Sequence, residues 1–140
     1  MFVRVILLLW AIFLHPIAAM AAGEDCPTLD GQEIEKLLMD APSCDRSMAL
    51  FRICSYGAGG DVGLGAIVRE KCEGDFLDKL SKAERGRYSR WIAYCERRYA
   101  RETGTMYRSF EAFCAAGVAQ AFARNAAAKA IKAIKRKRQR

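Results

Sequence analysis

Histidine is almost absent from this chain of 140 residues; the single one is His15. It falls in a stretch expected to be removed on export, which leaves the working protein without an imidazole. That excludes Ser-His-Asp and Cys-His nucleophile arrangements, histidine general bases and histidine metal ligands. Past residue 22 there is no alternating β-branched run long enough for a strand, and no internal repeat. No two cysteines stand two to four residues apart, as structural zinc ligands do, and the Cys-x-x-Cys-His signature of haem attachment is missing. No metal and no cofactor are expected. Glu70 and Glu73 share a helical face as a glycosidase pair would. Their neighbours Arg69 and Lys71 mark that face as solvated surface. Catalysis is therefore the least supported function class.

Six cysteines are present, and the N-terminus explains how they can be oxidised. Arg4 precedes the unbroken apolar run Val5–Leu14, His15-Pro16 interrupts it, and Ala19-Met20-Ala21 supplies a small-x-small cleavage site. Cleavage is expected after Ala21 or Ala22. The apolar run is shorter than the roughly 20 residues a spanning helix needs, and Asp25 before Cys26 is incompatible with a lipoprotein signal. The chain then divides into a signal peptide (1–22), a helical disulfide-stabilised domain (23–124) and a basic tail (125–140). Six thiols on an exported chain default to three disulfides in an oxidising periplasmic or extracellular setting.

The formal net charge is +7, yet residues 23–123 hold 14 Lys/Arg against 16 Asp/Glu, while 124–140 hold eight basic residues and no acid. The basic balance is a property of the tail. Lys129, Lys132, Lys135, Arg136, Lys137, Arg138 and Arg140 are candidate contacts to an anionic surface, with Ala127, Ala130, Ile131 and Ile134 as a thin apolar face between them. The alternative is a solvated helix end with a disordered tip. Nucleic acid is not an expected partner of an exported chain.

Four to five helices are expected, in an all-α domain. Asp30-Gly31-Gln32-Glu33 caps a first helix carrying Ile34, Leu37 and Leu38, which Pro42 ends. A second runs from about Asp45 to Cys54 with Met48 and Phe51 inward. The glycine-rich stretch 57–65 reads as a bend using positive φ, or as a surface loop able to cradle a phosphate. From about Leu64 a third helix presents Ile67, Val68, Cys72, Phe76 and Leu80, with Gly74 as a weak point.

Ser81 and Glu84 form a capping box ahead of Tyr88, Trp91, Ile92, Cys95 and Tyr99, which share one helical face. That aromatic stripe is at core spacing; a carbohydrate platform is the alternative. Gly104 is the expected stop, and Met106, Phe110, Phe113, Cys114, Gly117, Val118, Ala121 and Phe122 continue the pattern beyond it. Cys95 and Cys114 each lie roughly 14 Å from the turn along their helices. Helices packed about 8–10 Å apart can bring them within disulfide range, closing a loop worth about 3 kcal/mol. Cys26, Cys44, Cys54 and Cys72 keep their pairing open, although Cys54 and Cys72 are symmetric about the glycine loop.

Leu77, Leu80, Trp91-Ile92-Ala93-Tyr94 and Gly104-Thr105-Met106, with a cysteine ten residues past the glycine, give residues 72–124 a resemblance to the LprI-type lysozyme-inhibitor domain. Cys95 follows Tyr94 directly, where family members place Arg-Asp and several further residues before the cysteine. The resemblance implies a small secreted helical fold, Trp91, Tyr94, Gly104, Thr105 and Met106 as motif residues, and Cys44 paired with Cys54. It also implies a non-catalytic binder or inhibitor of a lysozyme-type cell-wall hydrolase; charge complementarity with a cationic hydrolase then calls for acidic groups on the body, for example around Asp61 or Glu70–Asp78. The second expectation is an envelope-associated protein held at an anionic membrane or polymer by its basic tail.

Overall fold

The computed structural model describes residues 24–139; the expected signal peptide and Arg140 lie outside the described residues. Among those described, the chain is helical throughout: α1 Gly31–Asp40, α2 Cys44–Cys54, α3 Asp61–Glu73, α4 Lys82–Tyr99 and α5 Thr105–Arg138, with a 3-10 turn at Leu77–Lys79. Helix starts follow their capping chemistry. Asp30 accepts from the Glu33 N–H at 3.0 Å, and Ser43 accepts from the Arg46 N–H at 3.1 Å. Ser81 and Glu84 cap each other reciprocally, so orphan first-turn donors find partners.

α5 lies along both α3 and α4, and α1 and α2 close over α3. Ile34, Leu38, Phe51, Val68, Cys72 and Phe76 are fully buried between them. Phe51 stacks on Phe113 at 4.1 Å, and Tyr88 meets Phe76 and Phe122 edge-on at 5.2 and 5.1 Å. Such pairs add to simple area burial.

Several boundaries differ from the sequence expectation. α3 starts at Asp61, not Leu64, and ends at Glu73, so Phe76 and Leu80 belong to the turn that follows Gly74. Within 57–65 a positive φ occurs at Gly57 alone. Gly65 serves a different need: a Cβ there would come within 2.8 Å of the Ala112 Cβ, so its bare backbone lets α3 and α5 approach. Gly104 does not stop α4. That helix ends at Tyr99, where the Glu102 N–H and the Arg108 guanidinium satisfy the Tyr99 carbonyl at 3.1 and 2.5 Å. Gly104, at φ 115°, opens α5 instead.

The expected inward stripe of α5 is also rotated. Met106, Phe110 and Ala121 are exposed, whereas Ser109, Ala116, Ala119, Gln120 and Ala123 are buried. α5 must fit α3 as well as α4, and small side chains permit that contact. The buried polar pair is satisfied: Ser109 donates to Asp61 at 2.5 Å and Gln120 to Asp45 at 2.6 Å. On α4, Tyr88 and Cys95 are buried, but Trp91 and Tyr94 stand on the surface. Past Arg124 the helix continues without a break, as its alanines favour. α5 runs 34 residues, about 51 Å at ~1.5 Å per residue.

Three disulfides join Cys26 to Cys54, Cys44 to Cys72 and Cys95 to Cys114, and no cysteine is free. The pairing of Cys44 with Cys54 implied by the family resemblance is contradicted. Those residues begin and end α2, about 15 Å apart along one rigid helix, beyond any disulfide's span. The symmetric pair Cys54 and Cys72 fails for a related reason. α2 and α3 run antiparallel, so the end of α3 returns to the start of α2. Three crosslinks indicate folding in an oxidising environment. Among the described residues no helix is long and apolar enough to cross a membrane.

Candidate functional site

One region that looked like a site, the glycine loop, is filled by the protein itself. In the glycine loop, the Asp61 carboxylate accepts from the Tyr56 and Gly57 N–H groups at 2.7 and 2.9 Å and from Ser109. The chain's own carboxylate thus sits where a phosphate would have been cradled. The same burial removes Asp61 from any acidic contact surface, since its exposure is 0%. A cavity of about 390 Å³ between α3, α4 and α5 is lined by Arg69 and Arg108. Arg108 pairs with Glu111 at 2.7 Å, whereas the buried Arg69 Nε, 3.6 Å from Glu73, has no hydrogen-bond partner. Among the described residues no three Cys, His, Asp or Glu side chains gather as a metal site.

The larger concavity, about 780 Å³, is a groove between the start of α4 and the outer half of α5. Antiparallel packing sets its walls. Glu84, Arg87 and Trp91 recur at three-and-four spacing on α4, opposite Ala121, Asn125, Ala128 and Lys132 at the same spacing on α5. Leu80 and Phe122, both partly exposed, supply its apolar surface above the buried Phe76, and Trp91, 50% exposed, stands at its edge. Four cations line it, Lys79, Arg87, Lys129 and Lys132, against one acid, Glu84.

That acid is already engaged. Lys129 donates to Glu84 at 2.5 Å, and Ser81 bonds the other carboxylate oxygen through its N–H and hydroxyl. The Lys129 contact, then the Ser81 bonds, bring the Glu84 carboxyl down to about 2. Deeper in the hairpin, Tyr88 donates to Glu73 at 2.5 Å. Burial, then that carboxylate, pushes its hydroxyl well above the usual phenol range.

The structure thus brings Trp91, Lys129 and Lys132 together. Tyr94 meets the Trp91 ring edge-on at 5.7 Å but does not line the groove. Gly104, Thr105 and Met106 form the opposite, loop end of the hairpin, beyond the Cys95–Cys114 bridge. Lys135, Arg136, Lys137 and Arg138 lie on helix that has passed the start of α4, with Ile131 and Ile134 exposed at 55% and 57%; Arg140 is outside the described residues. Sequence reasoning missed Lys79, Arg87 and the groove's apolar lining. They come from three separate elements, and no local pattern joins them.

A wider asymmetry appears once residues are assigned to helices. Residues 24–78, through α3, carry 12 Asp/Glu and 5 Lys/Arg; residues 79–139 carry 16 Lys/Arg and 4 Asp/Glu. The near-neutral body is an acidic part and a basic part side by side. No family model, curated protein or solved structure matches this chain. Among the described residues the fold is a small all-helical, disulfide-bonded domain with a cationic, apolar-lined groove.

Proposed function

We propose that this is an exported, non-catalytic binding protein that attaches to an anionic envelope surface through the outer half of α5. The observation that carries this reading is the helical overhang. Six basic residues and no acid lie in 125–138, and Ile131 and Ile134 stand exposed among them. A basic helix with a thin apolar face is suited to the boundary of an anionic bilayer. Each basic residue near such a surface contributes about 1 kcal/mol. The test is sedimentation of the exported protein with phosphatidylglycerol-rich vesicles, against the variant in which Lys135, Arg136, Lys137 and Arg138 become Glu. A loss of at least 100-fold in affinity is expected; equal binding of the two proteins would discard the reading.

A second reading draws on the acidic part. Exposed Glu70, Asp75 and Asp78, within the acid excess of residues 24–78, suit a cationic partner such as a lysozyme-type hydrolase. A lysis assay decides it: no inhibition at a large molar excess of this protein removes it.

A further inference from the structure

The groove between α4 and α5 is distinct from the overhang and has its own chemistry. A volume of about 780 Å³ falls in the ~300–1,000 Å³ range of small-ligand sites. A standard protein interface instead covers ~800 Å² per partner. The ligand class follows from the lining. Leu80, Phe122 and Trp91, each at least partly exposed, offer apolar and aromatic surface to a chain, not hydrogen bonds to a polar molecule. Lys79, Arg87 and Lys132 carry no salt bridge among the described residues, and the one acid in the groove is held by Lys129. The unbalanced charge calls for an anion directly beside the apolar strip.

We propose that this groove holds one acyl chain of a single anionic membrane amphiphile, with its phosphate or carboxylate head on Lys79, Arg87 and Lys132. The proposal rests on the surface reading for the source of the ligand, since a helix lying at a bilayer brings the groove to the lipid. It makes the protein a binder of individual lipid molecules as well as of a surface.

The probe is monododecyl phosphate below its micelle concentration, followed by Trp91 fluorescence in the full chain with Trp10→Phe. The expected result is a saturable blue shift at one ligand per chain. Dodecyl maltoside, with the same chain and no charge, should bind at least tenfold more weakly, and inorganic phosphate should not compete at equal concentration. Lys79→Glu with Lys132→Glu should weaken binding at least tenfold. Ala121→Phe, which fills the groove from an exposed position, should abolish it while circular dichroism and three intact disulfides report a folded chain. No saturable shift, equal affinity for the maltoside, or affinity unchanged in both variants overturns the proposal. The overhang variant Lys135→Glu/Arg136→Glu/Lys137→Glu/Arg138→Glu separates the two readings. Dodecyl phosphate affinity within twofold of the parent supports a site independent of the overhang; its loss there overturns the groove assignment.

Discussion

The N-terminal part, from Cys26 through α3, and the C-terminal hairpin of α4 and α5 solve the stability problem differently. The first has short helices, an acid excess and most of the large buried side chains, Ile34, Leu38, Phe51 and Val68 among them. Its two disulfides interleave, Cys26 with Cys54 across Cys44 with Cys72. The second has two long basic helices, one disulfide and few large buried side chains. No disulfide joins the two parts. Their junction combines small residues in close approach, Gly65 on Ala112, with the Phe51–Phe113 stack and with polar contacts from Ser109 to Asp61, Gln120 to Asp45 and Tyr88 to Glu73. Oxidation holds each part internally, and non-covalent packing alone holds them together.

Removing disulfides should expose this contrast most strongly. Loops spanning 28 and 19 residues stabilise by about 3.6 and 3.2 kcal/mol in the chain-entropy model, nearly equal values. Packing separates them: Cys44 and Cys72 are both buried in the core, whereas Cys114 is partly exposed. Cys44→Ser with Cys72→Ser should therefore cost about 4–5 kcal/mol, against about 3 kcal/mol for Cys95→Ser with Cys114→Ser. Urea unfolding of both variants measures it. Equal losses would mean that the two parts do not differ in how they depend on their crosslinks.

The junction comes next. Asp61→Ala strands the Tyr56 and Gly57 amides and the Ser109 hydroxyl, and should cost about 3 kcal/mol. Amide exchange at Tyr56 and Gly57 should accelerate in step. Ser109→Ala removes one donor and should cost about 1–2 kcal/mol. If Asp61→Ala left the urea midpoint in place, the polar contact would not be what holds α5 on α3.

Gly65→Ala tests the close approach of α3 and α5 by its sign. In a helix interior that exchange ordinarily stabilises by about 1 kcal/mol. Here the new Cβ would meet the Ala112 Cβ at 2.8 Å and its carbonyl oxygen at 3.2 Å, and overpacking of this kind costs about 1–3 kcal/mol. Net destabilisation of about 1 kcal/mol is expected by thermal melting. A rise in Tm would show that the close approach relaxes freely.

What the sequence made legible, and what it hid, follows the range of the interactions involved. Caps at Asp30, Ser43 and Ser81 act within three residues, and the Asp30 cap and the Ser81 box stand out from residue spacing alone, although Glu33 accepts from Thr28 and does not return to the Asp30 N–H. Cys95 and Cys114 are linked by the arithmetic of one hairpin. The pairing of Cys26 with Cys54 needs the chain to fold back over α2, which no local spacing encodes. Yet the helical length between Cys44 and Cys54 already forbids their union. The phase of α5 was hidden because a stripe rule sends large residues inward, whereas this helix buries Ala116, Ala119 and Ala123 to fit two neighbours. Asp61 reads as one more surface acid until Ser109, 48 residues away, is placed over it. Trp91 and Lys132 both stand out in the sequence, but the groove they share depends on the register of α4 against α5.

The smallest expected effect lies where the hairpin gives way to the overhang, at Glu84 and Lys129. In the folded chain the Glu84 carboxyl titrates at about 2 against an ordinary 4.5, first because Lys129 donates to it. Lowering the pKa means the folded state favours the charged form. This contribution is present above about pH 4.5 and lost as pH falls toward 2. Glu84→Gln lacks the titration, so the Tm difference between parent and variant should shrink across that window and vanish below it. Because the pair sits at the surface, the difference should also diminish in 1 M salt. A gap that stayed constant from pH 6 to pH 2 would assign the effect of the variant to the Ser81 cap rather than to Lys129. The basic half of α5 would then be tied to α4 by packing at Phe122 and Ala126 alone.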